Sequence, residues 1–297
     1  MKRVTMNKLI PIFVAVSISV LLGCSENKPA TDSTLYLLSY GLQDTTRFRL
    51  TTTFVLDIKR VVQGNELANK SIDRVEYEFE MKSGGKKDLE LEVEYKDRQH
   101  ESSESRGQAN TDFSELIGKK VSLSMSPEGE MSNFQGFEDL PAVKMLDREI
   151  TMGKDRYVNE VSQIFPHLPG KKIRKGDSWS HVEKYDEPLQ GGQASVTINY
   201  THTLVEEEKK DGLDCLKLDG RYTISIEGKG VDNEVEFDLK LDGEGTETVY
   251  FVHEKGVLLN VESRGTISGA AANEEMGLRL TIDQNFETTI DVDLEQD

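Results

Sequence analysis

Six glutamates form the pattern nearest to recognisable chemistry in this chain. Glu76, Glu78 and Glu80 share one parity, as do Glu90, Glu92 and Glu94, on two segments separated by the turn signal Ser83-Gly84-Gly85. Paired as a hairpin, both sets point the same way, opposite the apolar faces Val75, Tyr77, Phe79, Met81 and Leu89, Leu91, Val93, Tyr95. Like charges directly across a sheet repel, so calcium or magnesium is a candidate metal for these six carboxylates, and a solvated acidic face accounts for the same pattern. The five histidines, His100, His167, His181, His202 and His253, are scattered singly, and His100-Glu101-Ser102-Ser103-Glu104 lacks the second histidine of a zinc-protease helix, so no transition-metal site is expected. Cys215, within Leu213-Asp214-Cys215-Leu216-Lys217-Leu218, reads as a small buried strand residue with nothing beside it to favour a thiolate.

Gly176-Asp177-Ser178 resembles the start of the serine-esterase motif Gly-Asp-Ser-Leu, in which the serine is the nucleophile. The context departs from that family. Trp179 replaces the leucine, a basic stretch precedes it, and none of His181, His202 or His253 has an aspartate three residues earlier. Gly176-Asp177 therefore reads as a turn into a strand, and no catalytic residue is assigned. The glycine pairs at Gly228-Lys229-Gly230 and Gly243-Glu244-Gly245 open no helix, so they cradle no phosphate. No cofactor is expected.

The N-terminus carries another kind of chemistry. Lys2, Arg3 and Lys8 precede the apolar run Leu9 to Leu22, the pattern of a secretory signal. It ends in Leu21-Leu22-Gly23-Cys24, which resembles the lipobox of bacterial lipoproteins and implies that Cys24 receives diacylglycerol and becomes the new N-terminus. By the same resemblance, Ser25 in place of aspartate implies the outer membrane, if the cell has one. The whole chain has a formal charge of −18, and loss of the basic signal makes it more negative still. That excludes nucleic acid as a partner and leaves the lipid, not a basic patch, to hold the protein on a bilayer. With Cys24 acylated, Cys215 has no disulfide partner.

The elements that must position these residues are mostly strands. Residues 1–23 are the signal, 24–33 a polar tether, 34–137 a first β-rich half, 138–175 a helical connector and seam, and 176–297 a second β-rich half. In the first half, Phe48 to Ile58 alternates, as do Ile72 to Met81 and Leu89 to Tyr95; Lys120 to Ser126 and Glu130 to Gln135 flank Pro127-Glu128-Gly129. Arg98 to Asp112 is polar, lacks periodicity and reads as a long loop. Leu146, Ile150, Tyr157, Val161 and Ile164 fit a helix within Pro141 to Phe165, broken near Gly153. Pro166 and Pro169 stop it, and Trp179, the only tryptophan, stands where the next strand begins. Beyond, turn signals at Gly191-Gly192, Lys210-Asp211-Gly212, Gly228 to Asn233, Asp242 to Gly245, Glu254-Lys255-Gly256 and Gly269 to Asn273 imply an antiparallel meander with a long last strand. Val121 to Met131 and Thr248 to Leu258 echo each other as strand, tight turn, strand, which suggests two related halves.

These features together, the lipobox, two β-rich halves, a central helix and Pro166-His167-Leu168-Pro169 leading to Gly176-Asp177-Ser178-Trp179, resemble a family of uncharacterised bacterial lipoproteins. The architecture is similar, more distantly, to incomplete-barrel envelope lipoproteins, which implies a curved antiparallel sheet around a helix with an apolar cavity for acyl chains. The expected fold is thus mainly β: a long curved antiparallel sheet, incomplete barrel or sandwich. The expected function is non-catalytic binding of an apolar or acyl ligand by a lipid-anchored envelope protein. The alternatives are an assembly protein that binds another envelope protein, or a hydrolase using Ser178.

Overall fold

The computed structural model describes residues 34–41, 45–62, 64–83, 88–104, 107–145, 150–189, 191–232 and 235–294. Cys24, the signal and the tether lie outside these. Strand β1 (Tyr36–Leu37) is followed by the long strands β2 (Thr45–Val62), β3 (Asn65–Ser83) and β4 (Leu89–Glu104), then β5 (Gly107–Asn110), β6 (Lys120–Met125) and β7 (Met131–Gln135). The connector holds a 3₁₀ turn (Phe137–Asp139), the hairpin β8 (Val143–Met145) and β9 (Ile150–Met152), helix α1 (Lys154–Ser162) and β10 (Lys172–Ile173). Six long strands complete the chain: β11 (Ser178–Leu189), β12 (Gly192–Lys210), β13 (Leu213–Asp232), β14 (Val235–Val252), β15 (Val257–Asn273) and β16 (Leu278–Leu294).

One antiparallel 12-stranded sheet, in the order β11-β12-β13-β14-β15-β16-β2-β3-β4-β6-β7 with β5 on β4, makes the body. The two halves meet where the last strand pairs with the first long one, Phe286 opposite Leu56. Strands β7 and β11 are free edges, so the sheet curls without closing into a barrel, and the connector runs from one edge to the other across the concave side. Glycines on the inner face help it curl. Gly245 and Gly265 lie opposite each other between Tyr222 and Phe286, and a Cβ on Gly245 would sit 2.3 Å from the Tyr222 ring. The aromatic rings lie over the space those glycines leave.

Three expectations are corrected. Within the stretch read as helix, only Lys154–Ser162 is α-helical among the described residues; Val143–Met145 and Ile150–Met152 pair as a hairpin instead. Apolar residues three and four apart over so short a run suit either structure, and extended Gly153 starts the helix rather than interrupting it. The stretch read as a loop after Arg98 is mostly strand: β4 runs to Glu104 and β5 folds back on it. Its inward residues Arg98, His100 and Ser102 are buried but polar, so no apolar alternation marked the strand. Asp242 to Gly245 is not a turn but the middle of β14.

Candidate functional site: the concave face

The register of the sheet lines up polar side chains that are far apart in sequence. His202 lies opposite Gly220, which lies opposite Glu247, then Ser263, then Thr288. Beyond Phe54 the same row continues through Asp73 to His100. Cross-strand partners share a face, so this row is a polar belt across the concave side. On one side of it the concavity is packed by the connector; on the other lie Leu56, Ile58, Val196, Ile198, Ile224, Leu241, Ile267 and Ile282 as a second apolar cluster.

Between this cluster, the belt and α1 is a cavity of about 530 Å³, within the range of small-ligand sites. Its floor includes Phe54, Leu56, Val196, Ile198, Ile224, Ile267 and Phe286. Its roof is the polar side of α1, with Arg156, Asn159, Glu160 and Gln163, while Tyr157 and Val161 point into the packed core. The helix is tied at both flanks. Arg156 pairs with Glu187 and donates to the Pro188 carbonyl, and Asn159 Nδ2 donates to the Asp186 carbonyl at 3.0 Å, all on β11. On the other flank Arg98 donates to Glu160 at 2.9 Å and to Asp73 at 2.7 Å, and the Tyr77 hydroxyl donates to Glu160.

The belt gives the cavity a charged end. His202 Nε2 lies 2.5 Å from Glu247 Oε1, across strand β13. Gly220 makes that reach possible: a Cβ there would stand 2.4 Å from the Glu247 Cγ. Trp179 and Tyr200 both stack with His202, and the Tyr222 hydroxyl and Ser263 share a hydrogen bond of 2.8 Å. Burial, reinforced by the nearby Glu247 carboxylate and opposed by His202, pushes the Glu183 carboxyl up to about 7. Glu183 is therefore partly neutral at physiological pH and able to donate as well as accept a hydrogen bond. An elongated apolar molecule with a small polar head matches such a site: apolar floor, polar end.

The sequence-derived candidates lie elsewhere. The two segments do pair as a hairpin, and four of the six glutamates face one another, Glu78 opposite Glu94 and Glu80 opposite Glu92, while Glu76 lies opposite Asp97 and Glu90 opposite Lys82. Cations of the chain stand among them: Arg49 at 3.1 Å from Glu76, Lys96 at 3.2 Å from Glu78 and 2.9 Å from Glu94, Arg47 at 3.0 Å from Glu80, and Lys120 at 2.6 Å from Glu92. Glu90 accepts a hydrogen bond from Ser124 Oγ at 3.3 Å. Hydrogen bonds from Lys82 and Lys96 lower the Glu80 and Glu94 carboxyls respectively, so these remain ionised. Ser178 Oγ is exposed and hydrogen-bonded to Thr203 Oγ1 at 2.8 Å, on the side of β11 opposite to Trp179. Cys215 is buried and free, and burial pushes its thiol up. Trp179 is half-buried, its indole N–H donating to the His167 carbonyl at 2.9 Å.

Sequence reading missed the belt, since its members come from separate strands and none is marked by local spacing. It also missed a contact between histidines: His167 and His181 stack with ring centroids 3.8 Å apart.

No protein-family model matches the chain, and no curated protein matches it. Among solved structures the chain is similar to a "putative exported protein with YMCC-like fold" from Bacteroides fragilis, at 9% identity over 89% of this chain and 100% of that one, with a TM-score of 0.22. It is similar also to a DUF1329 family protein from Desulfovibrio piger, at 11% identity over 83% of this chain and 85% of that one, with a TM-score of 0.14. At such scores neither likeness determines fold or function.

Proposed function

We propose that this protein is a non-catalytic, lipid-anchored protein of the bacterial envelope that holds an elongated apolar ligand, such as an acyl chain, on the concave face of its sheet. The observation that carries the reading is the second apolar cluster: its residues face inward, yet the described apolar residues of the connector pack only against the first cluster, leaving a cavity of about 530 Å³. An apolar-floored cavity of this size is where a ligand gains most from leaving water. Glu183, His202 and Glu247 would meet the polar head of such a ligand. The envelope location and the anchor at Cys24 rest on the signal and lipobox pattern; a bilayer near the body would supply acyl chains.

The test is titration of the body, without residues 1–24, with a fluorescent fatty-acid analogue, alongside native mass spectrometry for carried ligand. Saturable uptake is expected, and Ile198→Trp, which fills the cavity, should reduce it at least about tenfold while leaving the circular dichroism spectrum unchanged. No uptake and no adduct would favour assembly with another envelope protein instead. For the anchor, Cys24→Ala should move the protein from the membrane to the soluble envelope fraction.

A further inference from the structure

The place where the sheet fails to close holds a group of side chains suited to a metal. Glu130 belongs to the turn between β6 and β7, at one free edge; His181 is on β11, the other free edge; His167 is on the connector between them. One ligand atom from each of the three lies within 4.8 Å of the other two. For a tetrahedral ion with metal-to-ligand distances near 2.0–2.1 Å, ligand atoms stand about 3.3 Å apart, so the site needs a contraction. The two imidazoles stack nearly parallel, with centroids 3.8 Å and planes 13° apart, so one ring must also turn to bring both nitrogen lone pairs onto one ion.

The backbone around His167 is held from both sides. Its carbonyl accepts the Trp179 indole N–H at 2.9 Å, and the next residue's amide, that of Leu168, donates to the Glu128 carbonyl at 2.8 Å. The connector is thereby bonded to β11 and to the β6–β7 turn at this point. His167 Nδ1 is buried without a hydrogen-bond partner among the described residues, an arrangement that leaves a buried polar atom unsatisfied at a cost.

We infer that Glu130, His167 and His181 form a site for a divalent transition metal of the zinc type, which clasps the two free edges of the sheet to the connector. Two imidazole nitrogens and one carboxylate suit zinc, with a fourth position open to water or another ligand. The site adjoins the cavity, which His167 also lines, and His181 lies 4.0 Å from Glu183, but it draws on no member of the second apolar cluster and does not require an acyl ligand.

The experiment is calorimetric titration of the chelator-treated protein with zinc, repeated with cobalt(II) read by its visible absorption, and thermal melting with and without zinc. One zinc per chain, a tetrahedral cobalt spectrum and a raised melting temperature are expected. His167→Ala and His181→Ala should each weaken zinc at least about tenfold, the low end of what even outer-shell changes cost, whereas His253→Gln should not. Glu130 is exposed in a turn, so Glu130→Gln separates loss of a ligand from misfolding; it too should weaken binding and shift the cobalt spectrum. Absence of saturable binding, or equal affinity in wild type and Glu130→Gln, would overturn the site.

Discussion

The concave face has two ends, and they are built differently. At the packed end, Phe48, Phe79 and Phe165 meet with Phe48 and Phe79 stacked at 5.2 Å and Phe165 edge-on to Phe79 at 5.5 Å. Those rings and their neighbours Tyr77, Tyr95 and Phe251 are at most 3% exposed. At the open end, Leu56, Ile58, Ile224, Ile267 and Ile282 retain 8–9% exposure. The sheet supplies apolar residues to both, so the difference lies in what covers them. Leu140, Tyr157, Val161, Ile164, Phe165, Leu168 and Ile173 of the connector all join the first cluster, and among the described residues of the connector none joins the second. Strands of 17 to 20 residues span roughly 60 Å, while a nine-residue helix spans about 14 Å. One short connector packs its described apolar residues on one end of such a sheet and leaves the other facing the polar side of α1.

The sharpest test of this contrast is truncation at both ends. Phe79→Ala should cost about 3–5 kcal/mol, because close-packed rings leave a cavity that cannot collapse. Ile224→Ala should cost near about 2 kcal/mol, the low end for such changes, because its surroundings are already partly open. Urea unfolding of the two variants measures both; equal losses would mean that the open end is as tightly filled as the other.

The strap is the next point to break. Glu160→Ala leaves Arg98, only 2% exposed at its side chain, with Asp73 alone, and removal of one partner of a buried ion pair should cost about 3 kcal/mol. It also unties α1 from β3 and β4 while the bonds to β11 remain. Binding of a hydrophobic dye should rise in this variant; unchanged dye binding together with unchanged stability would show that the helix is held by packing alone.

The smallest expected effect concerns the polar belt. Glu183 has a folded pKa near 7, raised from 4.5 by burial first and Glu247 second. Between those values the native state holds a proton that the unfolded chain has lost, so stability falls as pH rises from about 4.5 to about 7 and levels off above. Glu183→Gln should flatten that segment: equal to wild type near pH 4, more stable at pH 8. Parallel stability curves for the two proteins across this range would place Glu183 in water and not at the cavity wall.

The sequence was most legible where one physical signal acts alone. Alternation over Phe48 to Ile58, Ile72 to Met81 and Leu89 to Tyr95 marked strands with one wet and one dry face, and Pro127-Glu128-Gly129 marked the turn between β6 and β7. It failed where a polar residue is buried or a glycine is structural. Arg98, His100 and Ser102 hid the end of β4, because their inward positions are polar rather than apolar. Gly243 and Gly245 suggested a turn, whereas in β14 they make room for neighbouring side chains.

What sequence determined by itself was the β-rich class, the curved antiparallel meander and the strongly acidic surface, since these follow from local period, turn residues and summed charge. Tertiary structure alone decided the rest. That β16 pairs with β2, that His202 reaches Glu247 over Gly220, and that Glu130, His167 and His181 converge at the open seam all depend on strand register and on where the connector crosses. Register is set by the packing of whole faces, and a side chain's partner on another strand leaves no mark on its own neighbours in the chain.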